Sequence, residues 1–388
     1  MTSRDEHLFG PGPKRMLALE GGGVRGIVAL AFLERIEAML AERSGLGSRF
    51  RLCDYFDMIG GTSTGSLIAA GLALGFSVGQ LVDIYLNLAH RGFRGARWHG
   101  GVLIPKFRTE PFVAVLREQI GDATLGSERL RTGLAIVAKR IDTGSVWVFH
   151  NNPRGVYFGP AAHDDGAAPN RDLPLVNLVR ASTAAPTFFA PETIEIARGV
   201  KGVFVDGGAS PHNNPSLLLL MLAALEGYGY RWPLGAENLL LCSVGTGEQP
   251  VARSAQEFAR MSGASLAVQS LMSMMNDCNW LNQTLLQWLS ECPTPWTIDS
   301  EIGDLAADRL AGGPLLRYLR YDVGLSRAWL ERELSMILSD RELADLACID
   351  RPELASRLLG LGRAAALPQI SETHFSERFD PPPAGAVA

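Results

Sequence analysis

The sequence predicts an α/β fold of three layers, in which helices flank a mostly parallel central sheet, followed by a helical C-terminal extension. Short apolar segments run into glycine-rich turns and then into helix-like sequence, first over residues 15–42 and again over 51–75. A third apolar segment, 237–243, ends in a further glycine turn over 245–247. Repeated strand, turn and helix units are typical of parallel sheets that helices cover on both faces.

The composition limits the class of protein. The 388 residues are 47% hydrophobic and 20% charged, which indicates a globular chain with a large core. The net charge of −5 gives no field that would attract nucleic acid, so we expect no nucleic-acid partner. The five cysteines are scattered without the spacing of metal ligands, and the N-terminus has no apolar leader. We therefore expect reduced thiols, no bound metal and a cytoplasmic location.

The first glycine turn joins a strand predicted over 15–19 to a helix predicted over 26–42. It consists of Glu20 followed by Gly21, Gly22, Gly23, Val24, Arg25 and Gly26. The turn satisfies the dinucleotide-binding pattern Gly-X-Gly-X-X-Gly, but the carboxylate that should end a second strand about 20 residues later is missing. Its N–H groups suit any oxyanion, including the tetrahedral intermediate of acyl transfer.

The second glycine turn contains a Gly-X-Ser-X-Gly motif centred on Ser63. The motif consists of Gly61, Thr62, Ser63, Thr64 and Gly65, and a helix of small residues follows to about residue 75. In a nucleophile elbow the serine adopts a strained conformation, and only glycine-like residues fit two positions before and after it. The motif alone is a weak signal in a chain with 42 glycines. It makes Ser63 a candidate nucleophile.

Two segments have composition that suggests contact with lipid. Between Asp83 and Glu110 the sequence has no acidic residue and interleaves basic residues with aromatic residues and glycines. This segment is either a flap that contacts anionic headgroups or, as we favour, a solvated loop whose aromatic side chains pack in the core. Methionines in a helical pattern over 253–290 either contact acyl chains or, as we expect, belong to the core.

The remaining patterns define the elements that precede the second candidate residue. They predict helices over 77–88, 109–120, 172–184 and 217–225, a hairpin of 133–141 with 145–150, an extended segment from 187, and a strand within 314–323. A strand over 202–206 ends in Asp206 and is followed by Gly207 and Gly208. If this strand is parallel to those before the glycine turns, Asp206 lies at the same edge as Ser63.

Ser63 needs a base to accept its proton, and two residues are candidates. His212 follows closely behind the strand that ends in Asp206, but a lone histidine is usually incidental. Asp206 can serve only if a poorly solvated site raises its pKa above the ordinary value of about 3.9. We favour Asp206, with glycine N–H groups stabilising the transition state by a factor of roughly 100 to 1000 each.

Taken together, the segments 21–26, 61–65 and 206–208 resemble, in order and spacing, the patatin-like phospholipase family, which includes bacterial lipid acyl hydrolases. The resemblance covers roughly residues 14–250 and extends to 181–186 and 213–215. Glu20 departs from the aspartate of plant patatins, so the role of this carboxylate is open. Arg25 fits the family loop, where it either orients the loop or meets a substrate phosphate.

The resemblance implies that Ser63 is the nucleophile, that Asp206 is its partner in a catalytic dyad, and that N–H groups of the 21–26 loop form an oxyanion hole. It implies a serine hydrolase that needs no metal or organic cofactor and releases fatty acids from phospholipids or other acyl lipids. Peripheral contact with a membrane surface is an open alternative to a purely cytoplasmic location. Acyl transfer to a lipid acceptor and non-hydrolytic binding of a phosphate ligand are the alternatives. The oligomeric state stays open.

The predicted division of the chain has four parts. They are a leader over 1–13, a catalytic domain over 14–250, a mainly helical extension over 251–367 packed on the core, and a disordered tail over 368–388. The prediction of disorder rests on the proline run near the C-terminus.

Overall fold

A computed structural model describes residues 2–92, 105–160, 168–248, 255–308 and 310–381. The strands of these residues form a single sheet. They are β1 (Lys14–Leu19), β2 (Met58–Thr62), β3 (Gly133–Arg140), β4 (Ser145–His150), β5 (Glu192–Ala197), β6 (Val200–Asp206), β7 (Leu239–Val244), β8 (Ser290–Glu291) and β9 (Leu316–Tyr321). Their order is β5-β6-β3-β2-β1-β7-β9-β8, and β4 also pairs with β3.

The sheet is mostly parallel, as predicted. Five of its strand pairs, from β3 through β2, β1, β7 and β9 to β8, are parallel. The strands β4, β5 and β6 pair antiparallel at the other end of the sheet. The β9 strand follows residue 250 in sequence but lies directly beside β7, so the C-terminal part of the chain completes the central sheet.

Helices cover both faces of the sheet. They are α1 (Ser3–Phe9), α2 (Gly26–Ser44), α3 (Thr64–Ala73), α4 (Val78–Gly92), α5 (Thr109–Ile120), α6 (Leu175–Ser182), α7 (Ser216–Ala224), α8 (Ala255–Ala259), α9 (Gly263–Leu289), α10 (Arg327–Leu334), α11 (Asp340–Ala347) and α12 (Ala355–Gln369). Within the described ranges, none is long and apolar enough to cross a bilayer.

Two hydrophobic cores lie on opposite faces of the sheet, as the side chains of β1 illustrate. Leu17 and Leu19 belong to the larger core, which α2, α3 and α12 complete. Met16 and Ala18 point the other way, into a second core that includes Leu8 of α1 and Leu219 of α7. Because neighbouring residues of a strand face opposite sides, this alternation produces three layers. The predicted fold class is confirmed.

The sequence mislocates two extended segments. A strand was expected from residue 51, but Leu52–Asp54 is a 3₁₀ turn and β2 begins only at Met58. The buried carboxylate of Asp57 accepts hydrogen bonds from the Arg15 backbone and guanidinium at 2.8 Å, which fixes the chain just before the strand. Residues 187–189 form a turn rather than an extended segment, with Thr187 at a φ of 72°.

The prediction of a disordered tail is wrong for residues 368–381. Pro368 lies inside α12, and Phe375 and Phe379 are buried in the larger core. Arg15 donates to the carbonyl of Phe379 at 3.0 Å, and Asp380 pairs with an arginine of α2. The prolines suggested disorder, but burial of the two phenylalanine side chains stabilises the ordered conformation of this segment. Residues 382–388 lie outside the described residues.

The predictions for the two segments whose composition suggested contact with lipid compare differently with the structure. Residues 93–104 of the basic segment lie outside the described residues. Of the remainder, Phe107 is buried against Phe188 and Phe189, which agrees with the favoured interpretation. The expectation that the methionines over 253–290 belong to the core is wrong for Met272 and Met274, whose side chains are exposed.

Candidate active site

Ser63 lies in a tight turn between β2 and α3. Its backbone has φ 54° and ψ −129°, a region that residues with a side chain rarely adopt. The flanking glycines permit the close approach of two chain segments. A Cβ atom on Gly61 would lie 2.2 Å from the Gly65 carbonyl oxygen, and one on Gly65 would lie 2.3 Å from that of Leu19. The motif therefore adopts the strand, turn and helix geometry of a nucleophile elbow.

Asp206 lies beside Ser63 although β6 is antiparallel to β3, an orientation that the sequence did not predict. The β2 strand pairs with one edge of β3, and the last paired residue of β2 is Thr62, which lies opposite Val137. The next β3 residue, Ala138, lies opposite Asp206. Since β4 occupies the other edge of β3, β2 and β6 share the same edge and meet end to end. The expected parallel orientation is wrong, yet the two strand ends converge.

The side chains of Ser63 and Asp206 form a direct hydrogen bond. Ser63 Oγ donates to Asp206 Oδ2 at 2.6 Å, and Asp206 Oδ1 accepts from the Gly208 N–H at 2.7 Å. Both residues are buried. Burial raises the pKa of Asp206 to about 6, while the hydrogen bonds from Ser63 and Gly208 oppose the shift. The carboxylate is therefore ionised at neutral pH and a stronger base than an ordinary aspartate.

His212 takes part in the site through its backbone. Thr62 Oγ1 donates to the His212 carbonyl oxygen at 2.6 Å. Within the described ranges, the ring Nδ1 has no hydrogen-bond partner, and burial lowers the pKa of the imidazole. The Ser63 hydroxyl donates to Asp206 and not to this ring. Of the two candidate bases, the structure brings Asp206 to Ser63.

The loop over 21–26 lies against the elbow. A Cβ atom on Gly21 would lie 2.8 Å from Ser63 Cβ. Backbone carbonyl oxygens already accept from the N–H groups of Gly21, Val24, Arg25 and Gly26. The Gly22 N–H donates to Thr64 Oγ1 at 3.3 Å, and the Gly23 N–H has no acceptor among the described residues. Of the six residues predicted for an oxyanion hole, four thus have N–H groups that donate to backbone carbonyl oxygens, and a fifth, Gly22, donates to a side chain at 3.3 Å.

One further N–H group near Ser63 is unoccupied. The Thr64 N–H is the first of α3 and, within the described ranges, has no hydrogen-bond acceptor. N–H groups at the beginning of a helix favour negative charge because of the helix dipole. Among the described residues, the glycine loop and the elbow together therefore present N–H groups without an acceptor at Gly23 and Thr64, and a weakly held one at Gly22.

Several supporting residues could not be assigned a role from the sequence. Ser182 Oγ accepts from the Ser63 N–H at 2.9 Å and donates to the Val137 carbonyl oxygen at 2.6 Å, which holds the strained turn. The Asn213 carbonyl oxygen accepts from the Gly21 N–H, and its side chain donates to the Gly21 carbonyl oxygen, each at 3.2 Å. Ser182 and Asn213 lie in the segments 181–186 and 213–215. The resemblance of these segments to the family was the one feature of the sequence that pointed to them.

The C-terminal part of the chain also contacts the glycine loop, without any signal in the sequence. The Ile349 carbonyl oxygen accepts from the Val24 N–H at 2.8 Å. Arg320 of β9 forms a buried ion pair with Glu20, directly before the loop, and a second ion pair with Asp322 at 2.7 Å. Glu20 thus anchors the beginning of the loop to β9. Arg25 is partly buried, and burial lowers its pKa although Asp322 and Glu20 oppose the shift.

Comparisons with known proteins show what this chain is similar to. The family model for patatin-like phospholipase matches residues 17–220, which is more than half of the chain. A cGAMP-activated phospholipase of Vibrio cholerae is 30% identical over 223 residues, which cover 53% of this chain and 56% of that protein. Patatin-T5 of Solanum tuberosum is 27% identical over 248 residues, which cover 60% of each chain.

These similarities concern part of each molecule, since the chain spans less than two thirds of the length of both relatives. The matched region nevertheless includes the glycine loop, the elbow and Asp206 with the glycines that follow it. The chain belongs to the patatin-like phospholipase family.

Proposed function

We propose that this protein is a serine lipid acyl hydrolase that cleaves carboxylic esters of phospholipids or other acyl lipids through a Ser63–Asp206 dyad. The main support is the 2.6 Å hydrogen bond between the serine of a nucleophile elbow and a buried aspartate. An elbow serine paired with a base is the arrangement expected for acyl transfer through a covalent intermediate. Relatives that are named phospholipases support the lipid substrate class.

In the first step, Ser63 Oγ attacks the carbonyl carbon of the ester, and its proton passes to Asp206 Oδ2. The electron pair of the carbonyl bond moves to the oxygen, which becomes the oxyanion. We assign its stabilisation to the N–H groups of Gly22, Gly23 and Thr64. Such donors are effective because they are already oriented in a site from which water is largely excluded.

In the second step, neutral Asp206 returns the proton to the leaving alkoxide, the ester bond breaks, and an acyl-enzyme remains on Ser63. Water then attacks the acyl carbonyl while Asp206 accepts its proton. As this second intermediate collapses, Asp206 returns that proton to Ser63 Oγ, the bond between Ser63 Oγ and the acyl carbon breaks, and the fatty acid is released. One carboxylate serves as base and acid in turn, which requires a pKa near the working pH. The pKa of about 6 meets that requirement.

We further propose that the catalytic unit extends beyond the predicted domain 14–250. The proposed nucleophile, base and oxyanion donors all lie within that range. However, Arg320 pairs with Glu20, and Ile349 accepts from the Val24 N–H. Truncation after residue 250 would remove both contacts to the glycine loop. The C-terminal part therefore completes the site.

Fatty-acid release tests the proposal. The wild type is expected to release fatty acid from phosphatidylcholine vesicles and alcohol from a soluble short-chain ester. Ser63→Ala is expected to lower both rates by about 10⁴-fold or more, as loss of a catalytic nucleophile does. Ser44→Ala, which alters an exposed serine at the end of α2, serves as the control with unchanged rates.

Retention of both activities by folded Ser63→Ala would overturn the proposal. Including a lysolipid or an alcohol as acceptor distinguishes hydrolysis from acyl transfer. Release of free fatty acid supports hydrolysis, whereas preferential acylation of the acceptor identifies a transferase.

A further inference from the structure

Tyr85 of α4 is a buried tyrosine whose hydroxyl group lies at the glycine loop. The helix α4 packs against α2, which begins directly after that loop. The phenol oxygen lies at the first residue of α2, because a Cβ atom on Gly26 would overlap it. A buried tyrosine hydroxyl needs its hydrogen-bond partners within the protein. For Tyr85, the partner to which it donates is part of the candidate active site.

The Tyr85 hydroxyl donates to the carbonyl oxygen of Gly23. Burial raises the pKa of Tyr85, and hydrogen bonding with Thr64 and with the Gly26 backbone opposes the shift. The phenol is therefore neutral at physiological pH and keeps the proton that it donates to the loop. A residue of α4, outside the glycine loop and the elbow, thus holds one of the loop carbonyl groups.

The Gly23 N–H, which has no acceptor among the described residues, belongs to the peptide group that joins Gly22 to Gly23. The Gly22 carbonyl oxygen accepts from the Arg25 N–H at 3.1 Å. Since the N–H and the C=O of a trans peptide group point in opposite directions, the Gly23 N–H points away from Arg25. This contact fixes one end of the peptide group and leaves its N–H available to a ligand.

The next peptide group, which joins Gly23 to Val24, is held at both ends. Its carbonyl oxygen accepts from the Tyr85 hydroxyl, and its N–H donates to the Ile349 carbonyl oxygen at 2.8 Å. Gly23 is the joint between the two peptide groups and has a φ of 56°. Glycine rotates more freely than other residues, so the direction of its N–H depends on contacts that hold the neighbouring peptide groups.

We propose that Tyr85 is a positioning residue of the oxyanion hole, whose hydroxyl holds the Gly23 carbonyl so that the Gly23 N–H is directed at the oxyanion formed when Ser63 attacks. The inference rests on the proposed function and deepens it by naming a side chain on which the orientation of one donor depends. Oxyanion donors are effective because they are oriented before the reaction begins. Tyr85 acts through the loop and has no contact with the reacting atoms.

The alternative is that Tyr85 only fills the core. Loss of its hydroxyl would then change the stability of the fold but not the turnover of the folded enzyme. Tyr85→Phe distinguishes the two, because it retains the ring and removes one oxygen atom. The Gly23 carbonyl oxygen also accepts from the Gly26 N–H, so it keeps a donor in the variant. We therefore expect Tyr85→Phe to fold, with a urea midpoint close to that of the wild type.

Turnover of a soluble short-chain ester tests the inference. In Tyr85→Phe, kcat is expected to fall about 10- to 100-fold while KM stays nearly unchanged, because a misplaced donor weakens only the interaction made in the transition state. The matched control is Tyr55→Phe. Tyr55 is also buried in the larger core, and its hydroxyl has no hydrogen-bond partner among the described residues. This control should retain the kcat of the wild type.

Two further measurements identify the step at which Tyr85 acts. A trifluoromethyl ketone adds to Ser63 Oγ and forms a tetrahedral adduct with an oxyanion, so its affinity for Tyr85→Phe should fall by the same factor as kcat. The acid limb of the pH profile of kcat/KM reflects the pKa of Asp206, which is about 6. That limb should stay in place, since Tyr85 acts on the oxyanion donor and not on the base.

Wild-type kcat in folded Tyr85→Phe would overturn the inference, whereas inactive Ser63→Ala would show that the proposed function stands. A rise in KM at constant kcat, a shift of the acid limb, or an equal loss of kcat in Tyr55→Phe would overturn it as well. If the wild type hydrolyses no ester, or if Ser63→Ala retains turnover, the proposed function fails and the role of Tyr85 fails with it.

Discussion

Asp206→Asn is expected to lower kcat by about 10²–10⁴-fold, the usual contribution of a general base, and at the same time to stabilise the fold at neutral pH. Asparagine has the shape of aspartate. Its Oδ1 accepts from the Gly208 N–H as before, and its amide donates to Ser63 Oγ, so both hydrogen bonds of the site are retained. What disappears is a buried negative charge and the ability to accept a proton.

The sign of the stability change follows from the pKa. Burial raises the pKa of Asp206 from 3.8 to about 6 in the folded protein. The native state therefore holds the proton more tightly than the unfolded chain, and this stabilisation is lost as the pH rises through about 6. At pH 7 the ionised carboxylate costs the wild type on the order of 2–3 kcal/mol, by roughly 1.4 kcal/mol per pKa unit. Asparagine avoids that cost.

Urea unfolding of the wild type and Asp206→Asn as a function of pH measures this effect. The variant should be more stable at pH 7, and the difference should vanish below about pH 4. Asp142→Asn is the matched control of opposite sign, since Arg140 lowers the pKa of exposed Asp142 to about 2. An Asp206→Asn variant that is less stable than the wild type at pH 7 would contradict the raised pKa.

Arg320→Leu is expected to destabilise the protein by about 3–5 kcal/mol, the usual cost of leaving buried charges without their partner. Arg320 is fully buried and pairs with both Glu20 and Asp322. It also donates to Ser243 Oγ at 3.0 Å. Burial disfavours the charged form of the guanidinium and so lowers the pKa of Arg320. The two carboxylates have the larger combined effect and raise this pKa above its ordinary value. Without it, two carboxylates are left beside each other in the core.

Urea unfolding distinguishes the buried Arg320 cluster from an exposed ion pair. Arg91→Leu breaks the exposed Arg91–Glu118 pair and should leave the urea midpoint nearly unchanged. Adding Glu20→Gln and Asp322→Asn to Arg320→Leu should restore part of the lost stability, because the uncompensated charges are then gone. An Arg320→Leu midpoint equal to that of the wild type would show that the cluster does not hold β9 to the glycine loop.

The sequence predicted the elements that lie around the site because their signals are local. The apolar periodicity of α2 and the glycines around Ser63 each describe a short segment, and both adopt the predicted conformation. The same holds for the hairpin of β3 and β4. Ser63 and Asp206 were chosen from their local patterns, and the fold brings them together.

The missed features are pairings between distant segments. Nothing near residue 206 reveals that β6 runs antiparallel, because strand direction depends on the partner along β3. The link from Glu20 to Arg320 spans 300 residues, and the hydrogen bond from Val24 to Ile349 is similarly distant. Occupation of the N–H groups in the 21–26 loop depends on such contacts, so the sequence could not indicate which of these groups already have an acceptor.

The predictions for the C-terminal tail and for α9 were wrong in opposite directions. The prolines near the C-terminus suggested disorder, whereas Phe375 and Phe379 anchor that segment in the core. Methionines in α9 suggested a buried helix, yet Met272 and Met274 are exposed. Composition alone does not reveal which side of a segment the rest of the fold covers.

The most direct test of the Ser63–Asp206 dyad is the site of covalent modification by a fluorophosphonate, which forms a stable adduct with an activated serine. Mass spectrometry of the digested protein should find the adduct on the peptide that contains Ser63. The adduct should be absent from Ser63→Ala and should form much more slowly in Asp206→Asn, which lacks the base. An adduct on another residue, with Ser63 unmodified in an enzyme that loses its ester turnover, would contradict the dyad.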